Sequence, residues 1–229
     1  MIPIIDCEND VLRKQDEIWS AITSVGFVYL KNYGIDQELI ARVFVESRPL
    51  FELSLEKLKP LRRSRCRYPN SGYIGVGDEA LKYIKTFRDQ DEGTKADSAK
   101  TNFEKELKLK KPELRESYNI SPAESNIPWP DADLPALKPA VLALISECEK
   151  VLRILLRIIA NKIYPKDPEF LLKRHTKLSQ SGNESAMRIL NYPPVPENYD
   201  EGDVRLGAHS DFCSLTLLFQ DDAGGLEVC

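Results

Sequence analysis

Apolar residues along this chain recur at helical spacing in its first two thirds and in short β-rich runs near its end. Leu12, Ile18, Trp19 and Ile22 share one face of a predicted helix that Asn9 or Asp10 caps and Gly26 ends. Phe27 to Leu30 reads as a short buried strand. Asp36 then caps a second helix carrying Leu39, Ile40, Val43 and Phe44, bent or ended at Pro49. Residues 70–130 read as polar and irregular, punctuated by Gly72, Gly75, Gly77 and Gly93. The longest helix is expected over 137–164, with Val141, Leu144, Ile145, Cys148, Val151, Leu152, Leu155, Ile158 and Ile159 at core positions. A short helix capped by Asp167-Pro168 should follow.

Beyond Gly182 the period changes. Residues 186–192 predict a strand stopped by Pro193-Pro194; 204–209 and 214–219 predict two more, and Leu226-Glu227-Val228 begins a fourth after the Gly224-Gly225 turn. The expected class is α+β, with about 180 mainly helical residues preceding the strands. The expected divisions are a helical region over 1–125, a long core helix with its connection over 126–182, and a strand region over 183–229.

Composition narrows the function. Of 229 residues, 42% are apolar and 30% charged, so a packed core is expected rather than disorder. The net charge of −4 argues against a dedicated nucleic-acid binder, although Lys57, Lys59, Arg62, Arg63, Arg65 and Arg67 crowd one stretch. That cluster reads as a solvated loop around Pro60. The longest uncharged run, Ile18 to Leu30, is 13 residues, whereas a membrane span needs ~20 apolar residues. Five scattered cysteines without a C-x-x-C pair predict free thiols, and the N-terminus carries no signal-like pattern, so a cytoplasmic location is expected.

The candidate chemistry lies at His209-Ser210-Asp211. In an extended strand, residues i and i+2 face the same way, so imidazole and carboxylate converge. Such a donor pair suits divalent iron, for which two histidines and one carboxylate on one face leave positions open. His175, the other histidine, sits after a helix, where a cation near a helix C-terminus is the plain explanation.

The segment from Gly207-Ala208-His209-Ser210-Asp211 through Thr216-Leu217-Leu218-Phe219-Gln220-Asp221-Asp222 to Gly224-Gly225-Leu226-Glu227-Val228 closely resembles the first iron-ligand segment of the isopenicillin N synthase-like, 2-oxoglutarate/Fe(II)-dependent dioxygenases. Other blocks match in order. Ile2-Pro3-Ile4-Ile5-Asp6 resembles the family's opening strand, and Gly26-Phe27-Val28-Tyr29-Leu30-Lys31-Asn32-Tyr33-Gly34-Ile35 its G-F-F-x-x-x-N-H-G-I segment, with Tyr33 in place of the usual His. Phe51-Glu52-Leu53, Gly72-Tyr73 and Asn191-Tyr192-Pro193-Pro194 also fit.

The resemblance implies that His209 and Asp211 bind Fe(II), with no catalytic side chain beyond the metal ligands. It implies that Tyr192 contacts 2-oxoglutarate or the substrate, while Asn191 departs from the family's Asn-Tyr-Tyr-Pro pattern. The implied reaction consumes O2 and decarboxylates 2-oxoglutarate to succinate while a small organic molecule is hydroxylated, desaturated or cyclised. The implied fold is a helical N-terminal region followed by a double-stranded β-helix, or jelly roll, lacking its C-terminal strands. The second histidine ligand and the Arg-x-Ser that grips 2-oxoglutarate should follow Asp211, yet the 18 residues after it contain neither His nor Arg. The expectation is therefore a truncated product of a longer dioxygenase, inactive alone, or a non-catalytic interaction module with an incomplete metal site. The oligomeric state is left open.

Overall fold

A computed structural model describes residues 1–63, 71–78, 113–178, 180, 183, 185–195, 197, 205–207, 209, 211 and 213–228. In chain order its longer elements are β1 (Ile4–Asp6), α1 (Gln15–Ser24), β2 (Tyr29–Lys31), α2 (Gln37–Ser47), α3 (Leu55–Leu58), β3 (Gly72–Ile74), β4 (Glu116–Ile120), α4 (Leu137–Ile163) and β5 (Met187–Asn191). Short 3-10 turns at Val11–Lys14, Arg48–Glu52, Lys59–Leu61 and Leu172–Arg174 lie between them. Helices and sheets thus coexist, as the α+β reading requires. The chain divides into two compact units, one of Met1–Val45, Pro139–Leu178 and Asp211–Cys229, the other of Glu46–Lys138 and Ser179–Ser210. The Arg65 and Arg67 end of the basic stretch, Gly93, Cys66, and positions 204 and 208 of the second expected strand lie outside the described residues.

In the first unit, β1 and β2 pair in parallel, Ile5 opposite Leu30. Asp6 closes the ladder, accepting hydrogen bonds from the Glu8 amide at 3.0 Å and from Asn32 Nδ2 at 2.9 Å. Asn32 takes a left-handed backbone (φ 50°), tolerable for Asn because its short side chain bonds locally. The helix α4 confirms the apolar periodicity: Val141, Leu144, Val151, Leu155 and Ile158 are buried. It meets α1 through Lys162 to Asp16 and Asn161 to Gln15, while Ile18 and Ala21 turn inward. Leu12, expected on that inward face, is exposed; a 3-10 turn over Val11–Lys14 buries Val11 instead. Asp36 caps α2 as expected, its Oδ1 accepting the Glu38 amide at 2.9 Å. No helix among the described residues is long and apolar enough to cross a membrane.

The second unit holds an antiparallel sheet ordered β3-β4-β5. Two of its strands, β3 and β4, fall in residues 70–130, which corrects the reading of that region as irregular. The sequence concealed β4 because one face carries Ser117 and Asn119, small polar residues of low β-propensity, both buried. Tyr118 and Ile120 on the other face are fully buried, and the Tyr118 hydroxyl donates to Pro128 O at 2.8 Å.

Only β5 of the expected C-terminal strands is paired among the described residues. Residues 215–220 form no ladder, although Leu215, Leu217 and Phe219 are partly covered and Thr216, Leu218 and Gln220 exposed. That period of two is the pattern of a strand, but strand structure needs a partner backbone, and none of the described residues supplies one.

Candidate functional site

The β4–β5 ladder places the residues around Tyr192. Glu116 pairs with Asn191 and Tyr118 with Ile189, so Glu116 and Asn191 share one face of the sheet. Asn191 Nδ2 donates to Glu116 Oε2 at 2.9 Å, and the Tyr73 hydroxyl, from β3, donates to Glu116 Oε1. The Asn191 side chain is thereby bonded to the sheet.

Tyr192, one residue on, belongs to the opposite side with Arg115, the residue before Glu116. Arg205 covers the Tyr192 ring, with its Cζ 5.3 Å from the centroid, and its Nη2 donates to Pro193 O at 2.6 Å. Burial pushes the Tyr192 phenol up, opposed by the guanidinium groups of Arg115, Arg205 and Arg188. Tyr192 as a residue remains 38% exposed.

Glu113 ties this region to His209. Its Oε1 accepts the Gly207 amide at 3.0 Å and its Oε2 accepts Arg115 Nε at 2.6 Å. Burial alone would raise its carboxyl, but the Gly207 amide, Arg115 and His209 outweigh that and hold it below the usual value. His209 is exposed, and its Nδ1 lies 2.9 Å from Gly207 O. With Nδ1–H donated to that carbonyl, Nε2 is the lone-pair nitrogen, the tautomer a metal-binding imidazole takes.

Asp211 is described within the other unit. Its Oδ2 accepts the Thr216 hydroxyl at 2.5 Å, and Cys213 Sγ lies 3.1 Å from the same hydroxyl. A carboxylate oriented by a hydroxyl is a suitable ligand for a hard divalent cation. His175, in the same unit, is engaged at both ring nitrogens: Nδ1 lies 2.8 Å from Leu171 O, and Nε2 3.1 Å from Ser214 Oγ. Imidazole and carboxylate are donor types that suit a divalent cation such as Fe(II). Among the described residues no group of three His, Cys, Asp or Glu side chains forms a complete metal cluster.

Glu113, Arg115 and Arg205 carry no mark in the sequence reading. Arg205 stands four residues before His209 in Arg205-Leu206-Gly207-Ala208-His209, and only that proximity points to it. Glu113 and Arg115 lie at the entry to the concealed strand β4, where no pattern singles them out.

Comparison with known proteins bears on the family and the fold. Residues 2–135 match the family model described as "non-haem dioxygenase in morphine synthesis N-terminal", and residues 183–229 match that of the 2OG-Fe(II) oxygenase superfamily. The chain is 31% identical over 220 residues to the 2-oxoglutarate-dependent dioxygenase frbA of Dothideomycetidae sp. (strain 11243), covering 93% of this chain and 59% of that protein. It is 33% identical over 217 residues to the 2-oxoglutarate-Fe(II) type oxidoreductase ppzD of Metarhizium majus, with the same coverages. The chain thus spans about three-fifths of the length of the curated relatives it matches. Its fold resembles that of a full-length Neurospora crassa protein solved in complex with alpha-KG and thymine, at a TM-score of 0.66 and 24% identity over 92% of this chain and 62% of that one. The two family models, matched in order along the chain, establish that it belongs to the non-haem oxygenases whose family is defined by 2-oxoglutarate and Fe(II).

Proposed function

We propose that the whole protein oxidises a small organic molecule with 2-oxoglutarate, O2 and Fe(II), by hydroxylation, desaturation or ring closure. His209 and Asp211 are two of the iron ligands in this reading, and Tyr192 lies against 2-oxoglutarate or the substrate. The observation that carries it is the orientation of each ligand: Gly207 O orients the imidazole and Thr216 the carboxylate. Bound there, Fe(II) would supply O2 activation and a binding point for 2-oxoglutarate. The protein's own part is to hold ligands and substrate in register and to limit water. The proposal includes the division at residues 125 and 182, a jelly roll to which residues 183–229 contribute the first part, a cytoplasmic location, and no nucleic-acid partner.

The test is succinate formation from 2-oxoglutarate by the whole protein, with the His209→Ala variant as reference. Fe(II)-dependent succinate above the variant's background supports the reading, and equal rates refute it.

A second reading applies to the 229 residues alone, as a non-catalytic interaction module. It is favoured because the chain has two histidines and His175 is engaged at both nitrogens. Succinate at background from the isolated chain, alongside turnover by the whole protein, would support it.

A further inference from the structure

Backbone strain in the first unit gathers around one cavity. Among the described residues, the non-glycine positions with left-handed backbone are Glu8 (φ 50°), Asn9 (φ 66°) and Asn32 (φ 50°). Glu8 and Asn9 follow β1 and Asn32 follows β2, and the Asn9 amide donates to Asn32 O at 2.8 Å, so the two turns are fastened together. Such conformations persist only where the surroundings impose them, and they concentrate at ligand sites. Asn9 and Tyr33, with Asp10 and Gly34, form one wall of a half-enclosed cavity of about 180 Å3. The other wall is α4, which contributes Glu147, Lys150, Val151 and Ile154, the i, i+3, i+4, i+7 stripe of a single helix face. Val11 and Val151 are buried and Ile154 and Tyr33 half-buried, which makes the floor apolar. At the rim both signs of charge stand in balance: Glu147 Oε1 accepts Lys150 Nζ at 2.7 Å, and Asp10 Oδ2 meets Arg13 Nε at 3.0 Å. A carboxylate has a second oxygen and an ammonium three donors, so both pairs can admit a further partner without breaking.

We infer that this cavity binds a free amino acid with a branched apolar side chain, of the size of leucine. The ammonium goes to Asp10 and Glu147, the carboxylate to Lys150, and the side chain against Val11, Val151 and Ile154. A rim with both signs in balance selects a zwitterion, because a simple cation or anion meets a charge of its own sign there and brings no partner for it. A cavity of about 150 Å3 takes benzene, so one of about 180 Å3 admits the side chain while the charged head stays at the mouth. Such a site lies outside the oxygenase reading and does not depend on it.

The test is isothermal titration calorimetry at two temperatures on the metal-free 229-residue chain, without 2-oxoglutarate. The probes are L-leucine, its carboxylate-free analogue L-leucinamide and its amine-free analogue 4-methylpentanoate. Saturable binding of L-leucine is expected, with both analogues at least about tenfold weaker, as the loss of one charge-assisted contact predicts. Lys150→Met should weaken L-leucine and leave L-leucinamide no weaker. Glu147→Gln should weaken L-leucine and leave 4-methylpentanoate no weaker, and Arg153→Gln should change neither. Absence of saturable L-leucine binding up to about 10 mM overturns the inference, since even a millimolar site fills there. Either analogue binding as tightly as L-leucine overturns it too, as does a folded Lys150→Met that binds L-leucine like the unaltered chain. Should that variant fail to fold, the three probes on the unaltered chain decide. Because metal and 2-oxoglutarate are left out, failure of iron binding at His209 and Asp211 refutes the oxygenase reading without touching this one.

Discussion

Asn191 donates its side-chain amide to Glu116 Oε2 across the β4–β5 ladder at 2.9 Å. The same carboxylate receives the hydroxyl of Tyr73, which is buried. One acidic side chain therefore ties all three strands on one face of the sheet, and the end of β5 leads straight into Tyr192 on the other.

Replacing Glu116 by Ala leaves the Tyr73 hydroxyl buried without its acceptor. The expected loss is about 1–3 kcal/mol of stability, read as a lower urea midpoint with an unchanged slope. Tyr73→Phe, which removes the donor as well, should cost less in the Glu116→Ala background than in the unaltered chain. Additive costs in that double-mutant cycle would contradict a direct bond.

Gly72 begins β3 with φ 129°, and a Cβ there would lie 2.7 Å from the backbone atoms Arg63 N and Leu61 O. Neither the backbone angle nor the space admits a side chain. Gly72→Ala should destabilise by about 1–3 kcal/mol from backbone strain alone, with the clash adding to it. A thermal midpoint equal to that of the parent would show that the Leu61–Arg63 turn is not held against β3.

Two cysteines should differ in reactivity. Burial raises the Cys148 thiol to about 11, with Glu147 adding to the effect, whereas Cys213 is exposed. The thiolate is the reactive form, so iodoacetamide at pH 8 should alkylate Cys213 well before Cys148, as mass spectrometry of timed samples would report. The same shift has a stability sign. A thiol whose folded value lies above its unfolded one stabilises the fold fully below the unfolded value, ordinarily 9.0. That contribution is lost as pH rises from about 9 to about 11. Cys148→Ala should flatten the fall in stability over that window; an unchanged slope would contradict the assignment.

The long helix is legible in the sequence because α4 buries one continuous apolar stripe, from Val141 to Ile158, at unbroken helical spacing. The candidate ligands His209 and Asp211 are legible for a different reason: they sit in a block whose residue order is specific. The strands β3 and β4 are not legible, since Gly72, Ser117 and Asn119 carry little β signal and are set by pairing rather than by local preference. The residues around Tyr192 escape for the same reason. Glu113 and Arg115 reach it only because β4 lies beside β5, and no local pattern records a non-local pairing. Conversely, residues 215–219 have a strong strand pattern without a ladder, because propensity does not provide a partner.

The central claim is that His209 and Asp211 bind the metal and His175 does not. Mn(II), a divalent ion that accepts the same donors, can be titrated into the chain with 2-oxoglutarate present and its free form followed by electron paramagnetic resonance. The expected result is saturable binding that His209→Ala and Asp211→Ala each weaken by at least about tenfold, while His175→Ala leaves it unchanged. Binding that survives both ligand substitutions, or that depends on His175, would contradict it.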